Sequence, residues 1–274
     1  MMQWLTMPLR YGFMQRGLLA ALMVGVLCAV VGCYVVLRSM AFLGDAISHA
    51  ILPGVAVAYL LKGNLLVGAL FAAVAVALGI GFFSRLGKVK EDTAIGILFA
   101  AALALGVALI STIRTYAVDL THILFGNVLG VSTGDLRLTA GLGLVILTTV
   151  VALYKEFLVI SFDPVLAATL RLPAELLRNL MLVLLALAIV VSLQTVGVGL
   201  VAAMLVTPAA TAYLVTRRLP AMMLLSAALG AFSGVAGLYA SFYLNVASGA
   251  AIVLVATGVF LLVFLFAKRG ALRR

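Results

Sequence analysis

The sequence predicts an all-α fold: a polytopic membrane helix bundle with eight or nine transmembrane helices and a cytoplasmic C-terminus. Of its 274 residues, 66% are hydrophobic and 9% are charged, whereas soluble domains carry about 25% charged residues. The mean hydropathy is +1.33. A helix that crosses a bilayer needs about 20 apolar residues. Nine stretches approach this length: 17–37, 43–61, 65–84, 93–113, 138–154, 179–195, 199–216, 221–244 and 249–267.

The segments between these stretches are short, which predicts one transmembrane domain over residues 1–274 and leaves no room for an extramembrane catalytic domain. The formal charge of +10 does not indicate nucleic-acid binding, because the basic residues punctuate the apolar stretches and do not cluster on a polar face. The first stretch follows Arg10 and Arg16 as a signal peptide would, but it runs 21 residues without a small-residue cleavage pattern. We expect a retained helix.

The basic residues also predict the orientation. With nine spans, 13 of the 18 lysines and arginines lie in one set of loops, and cytoplasmic loops are the basic ones. The C-terminus is therefore expected inside and the N-terminus outside. If one stretch is re-entrant, the count becomes eight and the N-terminal end moves, whereas the basic segments 85–92, 155–178 and 217–220 remain cytoplasmic.

Two features of the apolar stretches predict how the helices pack. The Gly230-Ala-Phe-Ser-Gly234 spacing and other small residues allow close approach between helices. Pro53 and Pro208 interrupt two stretches that should run in opposite directions. Broken helices often line a translocation pathway, although a plain kink would equally explain both prolines.

Asp45 and His49 fall inside the second apolar stretch, where ionisable side chains are unexpected. Because they are four residues apart, they share one helix face. A charged group in the hydrocarbon region costs at least about 2.5 kcal/mol and ordinarily faces a pathway or a partner. The alternative is a polar hydrogen bond between two helices.

A carboxylate with a neutral imidazole suits a first-row divalent cation such as Mn²⁺, Fe²⁺ or Zn²⁺ better than Ca²⁺ or Mg²⁺. Two ligands are too few to hold such an ion. If two copies of the chain meet about a two-fold axis with this face inward, the axis collects two carboxylates and two imidazoles. We therefore expect Asp45 and His49 to bind a transported metal ion at the centre of a homodimer.

Two further acidic segments are weaker candidates. Asp119, His122 and Phe125 lie in an outer connection too apolar for a simple loop, which predicts short re-entrant pieces with a role at the pathway mouth or gate. Local hydrogen bonding and capping is the alternative. The Glu91-Asp92-Thr93 segment begins a span, where acidic residues complement a helix N-terminus, so capping is favoured there over metal ligation.

The long cytoplasmic connection 156–173 predicts a contact with an energy-supplying partner. The chain has no nucleotide-binding G-x-x-x-x-G-K-[ST] loop. Asp163 can cap a helix whose first residue is Pro164, and Pro173 is expected to end it after about two turns. Its apolar face suits insertion into a groove of a partner protein, although lying flat on the membrane is also possible. The residues expected to couple this segment to an ATPase are Glu156, Phe162, Asp163, Pro164 and Arg171.

Several motifs along the chain resemble those of a known family. The chain resembles the permease subunit of the manganese/zinc/iron family of ATP-binding-cassette importers. The matching segments, written as they stand here, are Leu37-Arg-Ser-Met-Ala-Phe-Leu-Gly-Asp-Ala-Ile-Ser-His-Ala-Ile-Leu-Pro-Gly, Glu91-Asp-Thr-Ala-Ile-Gly, His122-Ile-Leu-Phe-Gly-Asn, Ser161-Phe-Asp, Gln194-Thr-Val-Gly, Ala203-Met-Leu-Val-Thr-Pro-Ala-Ala-Thr-Ala-Tyr and Ser248-Gly-Ala. The sequence from Ser48 to Gly54 favours the manganese branch of this family.

The resemblance implies a multi-pass permease of the bacterial cytoplasmic (inner) membrane, not an enzyme. It implies a second copy of the chain, two cytoplasmic ATPase subunits docked on the 156–173 connection and an extracytoplasmic metal-binding protein that delivers the ion. It also implies that Asp45 and His49 lie on the translocation pathway, with no permanently bound cofactor. The alternative class is a stand-alone proton-coupled secondary metal carrier, in which Asp45 would titrate.

Overall fold

The computed structural model describes residues 7–85, 90–112, 128–162 and 164–271. In these ranges the chain forms α-helices and two short 3₁₀ helices, Pro8–Arg10 and Val128–Gly130, and no strand. The α-helices are α1 (Gly12–Leu37), α2 (Leu43–Ala50), α3 (Leu52–Leu60), α4 (Leu65–Arg85), α5 (Glu91–Ser111), α6 (Thr133–Ala152), α7 (Tyr154–Phe162), α8 (Pro164–Thr169), α9 (Ala174–Val196), α10 (Val198–Val215), α11 (Leu219–Leu244) and α12 (Ser248–Ala271).

Nine candidate membrane spans occur in the described residues, each 18 to 26 residues long, and this confirms the all-α membrane bundle. α2 and α3 together form the second span, Leu43–Leu60, and each other span is a single long helix. Several helices begin earlier than the apolar pattern predicts. α6 starts at Thr133 because Ser132 and Asp135 form a reciprocal capping box, in which each side chain accepts a hydrogen bond from the backbone N–H of the other.

α1 is the central helix and the most buried of the spans. It packs against α11, α10, α6 and α9, while α5 and α12 are largely exposed on the outside of the bundle. The hydrophobic core gathers residues from nearly every spanning helix around α1. In a single chain, the exposed apolar surfaces of α5 and α12 are therefore available for lipid or for another protein.

Glycines let the central helices touch backbone to backbone, which confirms the packing predicted from the small residues. A Cβ atom on Gly25 of α1 would lie 2.7 Å from the carbonyl oxygen of Gly230 in α11. One on Gly234 would lie 3.0 Å from the carbonyl oxygen of Ala21, one turn away on the same contact. Gly32 of α1 faces the carbonyl oxygen of Leu205 in α10 with no space for a side chain.

Gly32→Ala is expected to destabilise the folded chain by about 1–3 kcal/mol, since the added methyl must displace a backbone carbonyl in a packed core. The matched control is Gly258→Ala in α12, because a Cβ atom there has no neighbour within 4 Å and alanine is the better helix former. Thermal unfolding of the purified variants in detergent measures the difference. Equal unfolding temperatures for the two variants would contradict the close contact.

The two prolines have different effects. Pro53 lies in the first turn of α3, directly after the interruption of the second span at Ile51. Pro208 lies inside α10, which is continuous from Val198 to Val215. The second span is interrupted beside Pro53, whereas α10 continues through Pro208 in close contact with α1, so a plain kink stays the prediction at Pro208. Proline lacks a backbone N–H, so α10 lacks one helical hydrogen bond at Pro208, whereas Pro53 lies in a first turn, where the N–H has no partner within the helix.

The connection between α6 and α9 contains two helices, where the sequence predicts one. α7 precedes the expected short helix, and α8 begins at Pro164 as predicted. The prediction that Pro173 ends α8 is wrong, because α8 ends at Thr169. Arg171 has a φ of 54°, in the left-handed region, and the backbone N–H of Leu172 donates to the carbonyl of Ala167 at 3.0 Å. This pattern closes a helix C-terminus before the proline is reached.

Candidate functional site

Asp45 and His49 lie on one face of α2, as their spacing predicts. His49 Nε2 lies 3.6 Å from Asp45 Oδ1, and 30% of the His49 side chain and 54% of the Asp45 side chain are exposed. The distance exceeds that of a good hydrogen bond. The neighbours on the same short helix, Ala46, Ile47 and Ser48, are buried, so α2 is anchored with its two ionisable side chains on the free side.

This free side faces a cavity of about 1070 Å³. Its wall is mostly apolar and is built from segments far apart in the chain: the 3₁₀ helix Val128–Gly130, the α9–α10 turn, the α11–α12 turn and the first turns of α12. Asp45 and His49 are the ionisable side chains in this lining. The cavity thus leads from one end of the bundle to the two polar residues.

The α9–α10 turn requires a glycine. Gly197 has a φ of 84°, a backbone conformation that residues with a side chain rarely adopt. The turn places Val196, Val198 and Leu200 on the cavity wall. The glycine of the Gln194-Thr-Val-Gly197 motif is therefore explained by the structure: it allows the tight turn that connects the antiparallel helices α9 and α10 beside the cavity.

A second cavity, of about 220 Å³, lies on the other side of Asp45. It is lined by residues of α2 and α5, including Asp92 and Phe99, and Asp45 is the residue that lines both cavities. The His49 and Phe99 ring centroids are 6.0 Å apart. Sequence reasoning assigned Asp92 to helix capping and missed this shared cavity. The available signal was that Asp92 lies in the first turn of the span that follows a basic loop.

Glu91, the neighbour of Asp92, makes a contact that the sequence does not predict. Its carboxylate accepts two hydrogen bonds from Arg38 Nη2, at 2.7 and 2.9 Å. The two side chains are 20% and 11% exposed, respectively. Burial lowers the pKa of Arg38, and the neighbouring Glu91 carboxylate opposes that shift. This ion pair joins the α1–α2 corner to the start of α5, and Glu91 directly precedes Asp92 of the small cavity.

The residues predicted to couple to an ATPase lie on or beside α7 and α8. Phe162 is 64% exposed, and Leu166 and Leu170 of the α8 region are 45% and 55% exposed. Glu156 points the other way, since its Oε2 atom is buried without a hydrogen-bond partner in the described part of the chain. Arg171 is exposed at the left-handed turn after α8. Asp163 lies outside the described residues, as do Asp119, His122 and Phe125, so their predicted roles stay predictions.

In the described ranges, no three His, Cys, Asp or Glu side chains group closely enough to hold a metal ion. Asp45 and His49 form a pair, and both side chains are partly exposed on the surface of the single chain. Two ligands bound at about 2.1 Å to one tetrahedral ion are about 3.4 Å apart, close to the distance observed here. The spacing of the pair is thus compatible with two ligands of one divalent cation.

Comparison with known proteins decides the family. The family model described as the ABC 3 transport family matches residues 10–267. The chain belongs to the ABC 3 transport family. It is 51% identical to the manganese transport system membrane protein MntC of Halalkalibacterium halodurans, over 97% of this chain and 91% of that protein. It is 40% identical to a probable iron transport system membrane protein of Haemophilus influenzae, over 98% of each chain.

Among solved structures, the PsaBC structure from Streptococcus pneumoniae in complex with Fab aligns with a TM-score of 0.83 at 41% identity, over 96% of this chain and 94% of that chain. These matches confirm the predicted resemblance, its manganese-type branch and the multi-pass location in a bacterial membrane. As a member of the ABC 3 transport family, the chain is a membrane permease and not an enzyme.

Proposed function

We propose that this ABC 3 permease imports Mn²⁺ in an ATP-driven complex, and that Asp45 and His49 bind the ion during its passage. The observation that carries the proposal is a carboxylate and an imidazole 3.6 Å apart in a membrane span, at the inner end of a large cavity. The 51% identity to a manganese transport system membrane protein of Halalkalibacterium halodurans supports this choice of ion. Zn²⁺ and Fe²⁺ suit the same donors.

A second copy of the chain completes the site. The pair supplies two ligands, and Asp45 is more than half exposed on the single chain, which is unfavourable for a carboxylate in a membrane. A two-fold axis beside α2 would bring four ligands together and cover both carboxylates. We therefore expect Mn²⁺ to bind at one ion per two chains. Equilibrium dialysis of the purified permease measures this ratio.

The two cavities suggest the direction of transport. The large cavity opens where the α9–α10 and α11–α12 turns lie, at the opposite end of the bundle from Arg38 and the α10–α11 turn. The excess of basic residues in the Arg38 end predicts that this end is cytoplasmic. An ion delivered from outside by a metal-binding protein would then enter the large cavity, bind Asp45 and His49, and leave past Asp92.

ATP-dependent uptake by reconstituted protein tests this proposal. Proteoliposomes containing the permease, its ATPase subunits and its binding protein are expected to accumulate Mn²⁺ when ATP is supplied, and to prefer it to Zn²⁺ and Fe²⁺ in competition. Uptake that follows a pH gradient without ATP would replace the proposal with a proton-coupled carrier. Preference for another ion would change the substrate and leave the class intact.

Docking of the ATPase on the α7–α8 region predicts a separate effect. Leu170→Asp is expected to weaken capture of the ATPase subunit by about 10-fold or more, since a charge replaces an exposed apolar contact of the partner, and to leave Mn²⁺ binding unchanged. The control is Leu61→Asp, which alters a side chain that is 76% exposed at the opposite end of the bundle. Equal capture by both variants would place the ATPase elsewhere.

A further inference from the structure

A second large groove lies at the Arg38 end of the bundle, outside the pathway described above. It has a volume of about 840 Å³. Its floor is apolar and includes Leu37 of α1, Leu158 and Phe162 of α7, and Leu219 of α11. We call it the interfacial groove, because it lies where three elements, α1, α10 and α11, reach their ends at the same level of the bundle.

The rim of the interfacial groove is cationic. Arg217 and Arg218 form part of its lining and are exposed. No carboxylate of the described residues lies within ion-pair distance of either arginine, and no residue in the groove lining is acidic. Lys155 adds a third charge nearby, with its Nζ atom 5.9 Å from the centroid of the Tyr154 ring, which itself lines the groove.

The remaining polar groups suit the boundary between lipid and water. Tyr154 and Tyr213 line the groove, and tyrosine is enriched at this level of membrane proteins because its ring is apolar and its hydroxyl is polar. Leu37 and Leu219 mark the ends of two membrane spans at the same place. The groove therefore combines an apolar floor at the ends of two membrane spans with a cationic rim just beyond them.

We propose that the interfacial groove binds an anionic phospholipid, with its phosphate on Arg217 and Arg218 and an acyl chain along the apolar floor. Charge complementarity supports this occupant, since basic pockets between spanning helices at the cytoplasmic face bind anionic head groups. Arginine presents a planar set of donors that matches phosphate oxygens. Phe162 belongs both to the groove and to the segment expected to contact the ATPase, so a bound lipid would lie beside that contact.

Native mass spectrometry of the full-length permease tests the proposal directly. The protein is titrated with phosphatidylglycerol or with phosphatidylcholine in detergent, and the lipid-bound fraction is measured. Wild-type protein is expected to bind phosphatidylglycerol in preference to phosphatidylcholine. The Arg217→Ala/Arg218→Ala variant should lose affinity for phosphatidylglycerol by about 25-fold, each basic contact contributing about a factor of five. The Arg217→Lys/Arg218→Lys variant should retain most of the binding.

The control variant is Arg10→Ala/Arg137→Ala, which removes the same charge from two exposed arginines away from the groove. It should bind phosphatidylglycerol as wild type does. Equal losses in both double variants would show that net charge alone attracts the lipid and would overturn the proposal. Unchanged lipid binding in Arg217→Ala/Arg218→Ala, together with weaker capture of the ATPase subunit, would assign the groove to the protein partner instead.

Discussion

Asp45→Asn is expected to reduce Mn²⁺ uptake by about 100-fold or more in the reconstituted importer. The substitution keeps the shape of the side chain and removes the charge that attracts the cation. In a two-fold symmetric dimer it removes the negative charge of two of the four ligands at once. Insertion into the membrane should be unimpaired, since a neutral amide costs less in a membrane than a carboxylate. His49→Ala is expected to have an effect of similar size.

The control for both variants is Ser48→Ala. Ser48 lies between the two residues on α2, but its hydroxyl is buried and donates to the Gly44 carbonyl at 2.7 Å within the same helix. Uptake and the amount of inserted protein should match those of wild type. If Asp45→Asn or His49→Ala transported Mn²⁺ as well as Ser48→Ala does, the metal-binding assignment would be wrong even though the family would stand.

Glu91→Gln is expected to destabilise the folded permease by about 3–5 kcal/mol, because it leaves the Arg38 guanidinium buried without an opposing charge. The Arg38 side chain is only 11% exposed and its Nη1 atom already has no hydrogen-bond partner in the described structure. Replacing both partners by apolar residues, as in Arg38→Met/Glu91→Leu, should cost much less, since no buried charge remains. Thermal unfolding in detergent measures both effects.

The ion pair between Arg85 and Glu175 provides a matched comparison. Its Nε–Oε1 distance is 2.9 Å, but its side chains are 63% and 56% exposed. Glu175→Gln is therefore expected to cost no more than about 1 kcal/mol. If Glu91→Gln and Glu175→Gln lowered the unfolding temperature equally, burial would not be the source of the Arg38–Glu91 contribution.

The candidate ligands could be predicted from the sequence because their relation is local. Asp45 and His49 share a face through helical periodicity alone, and their cost in lipid marks them without any tertiary information. The wall of the cavity that they face could not be predicted in the same way. Most of its residues come from segments more than 100 positions away, such as Val196 and Val246, and no periodicity links those segments to α2.

The same distinction explains the errors. The α7 helix was missed because residues 154–162 mix polar and apolar residues and follow a span without a proline or glycine to separate them. The end of α8 was misplaced because Arg171 adopts a left-handed conformation that its residue type does not favour. The sequence indicates capping for Asp92 because its position at the start of a span follows from the apolar pattern, whereas the cavity that it shares with Asp45 depends on the packing between helices.

Composition and apolar length by themselves determined that this chain is a membrane protein of eight or nine spans, because crossing a bilayer imposes helix length and hydrophobicity on each segment independently. The four-residue spacing of Asp45 and His49 determined that they share one helix face. Tertiary structure alone decided which surfaces these residues meet: the cavity on each side of Asp45, the Arg38–Glu91 pair across 53 positions and the cationic groove at Arg217. Such contacts depend on how helices pack against one another, and every apolar helix face satisfies the membrane equally well before packing selects one arrangement.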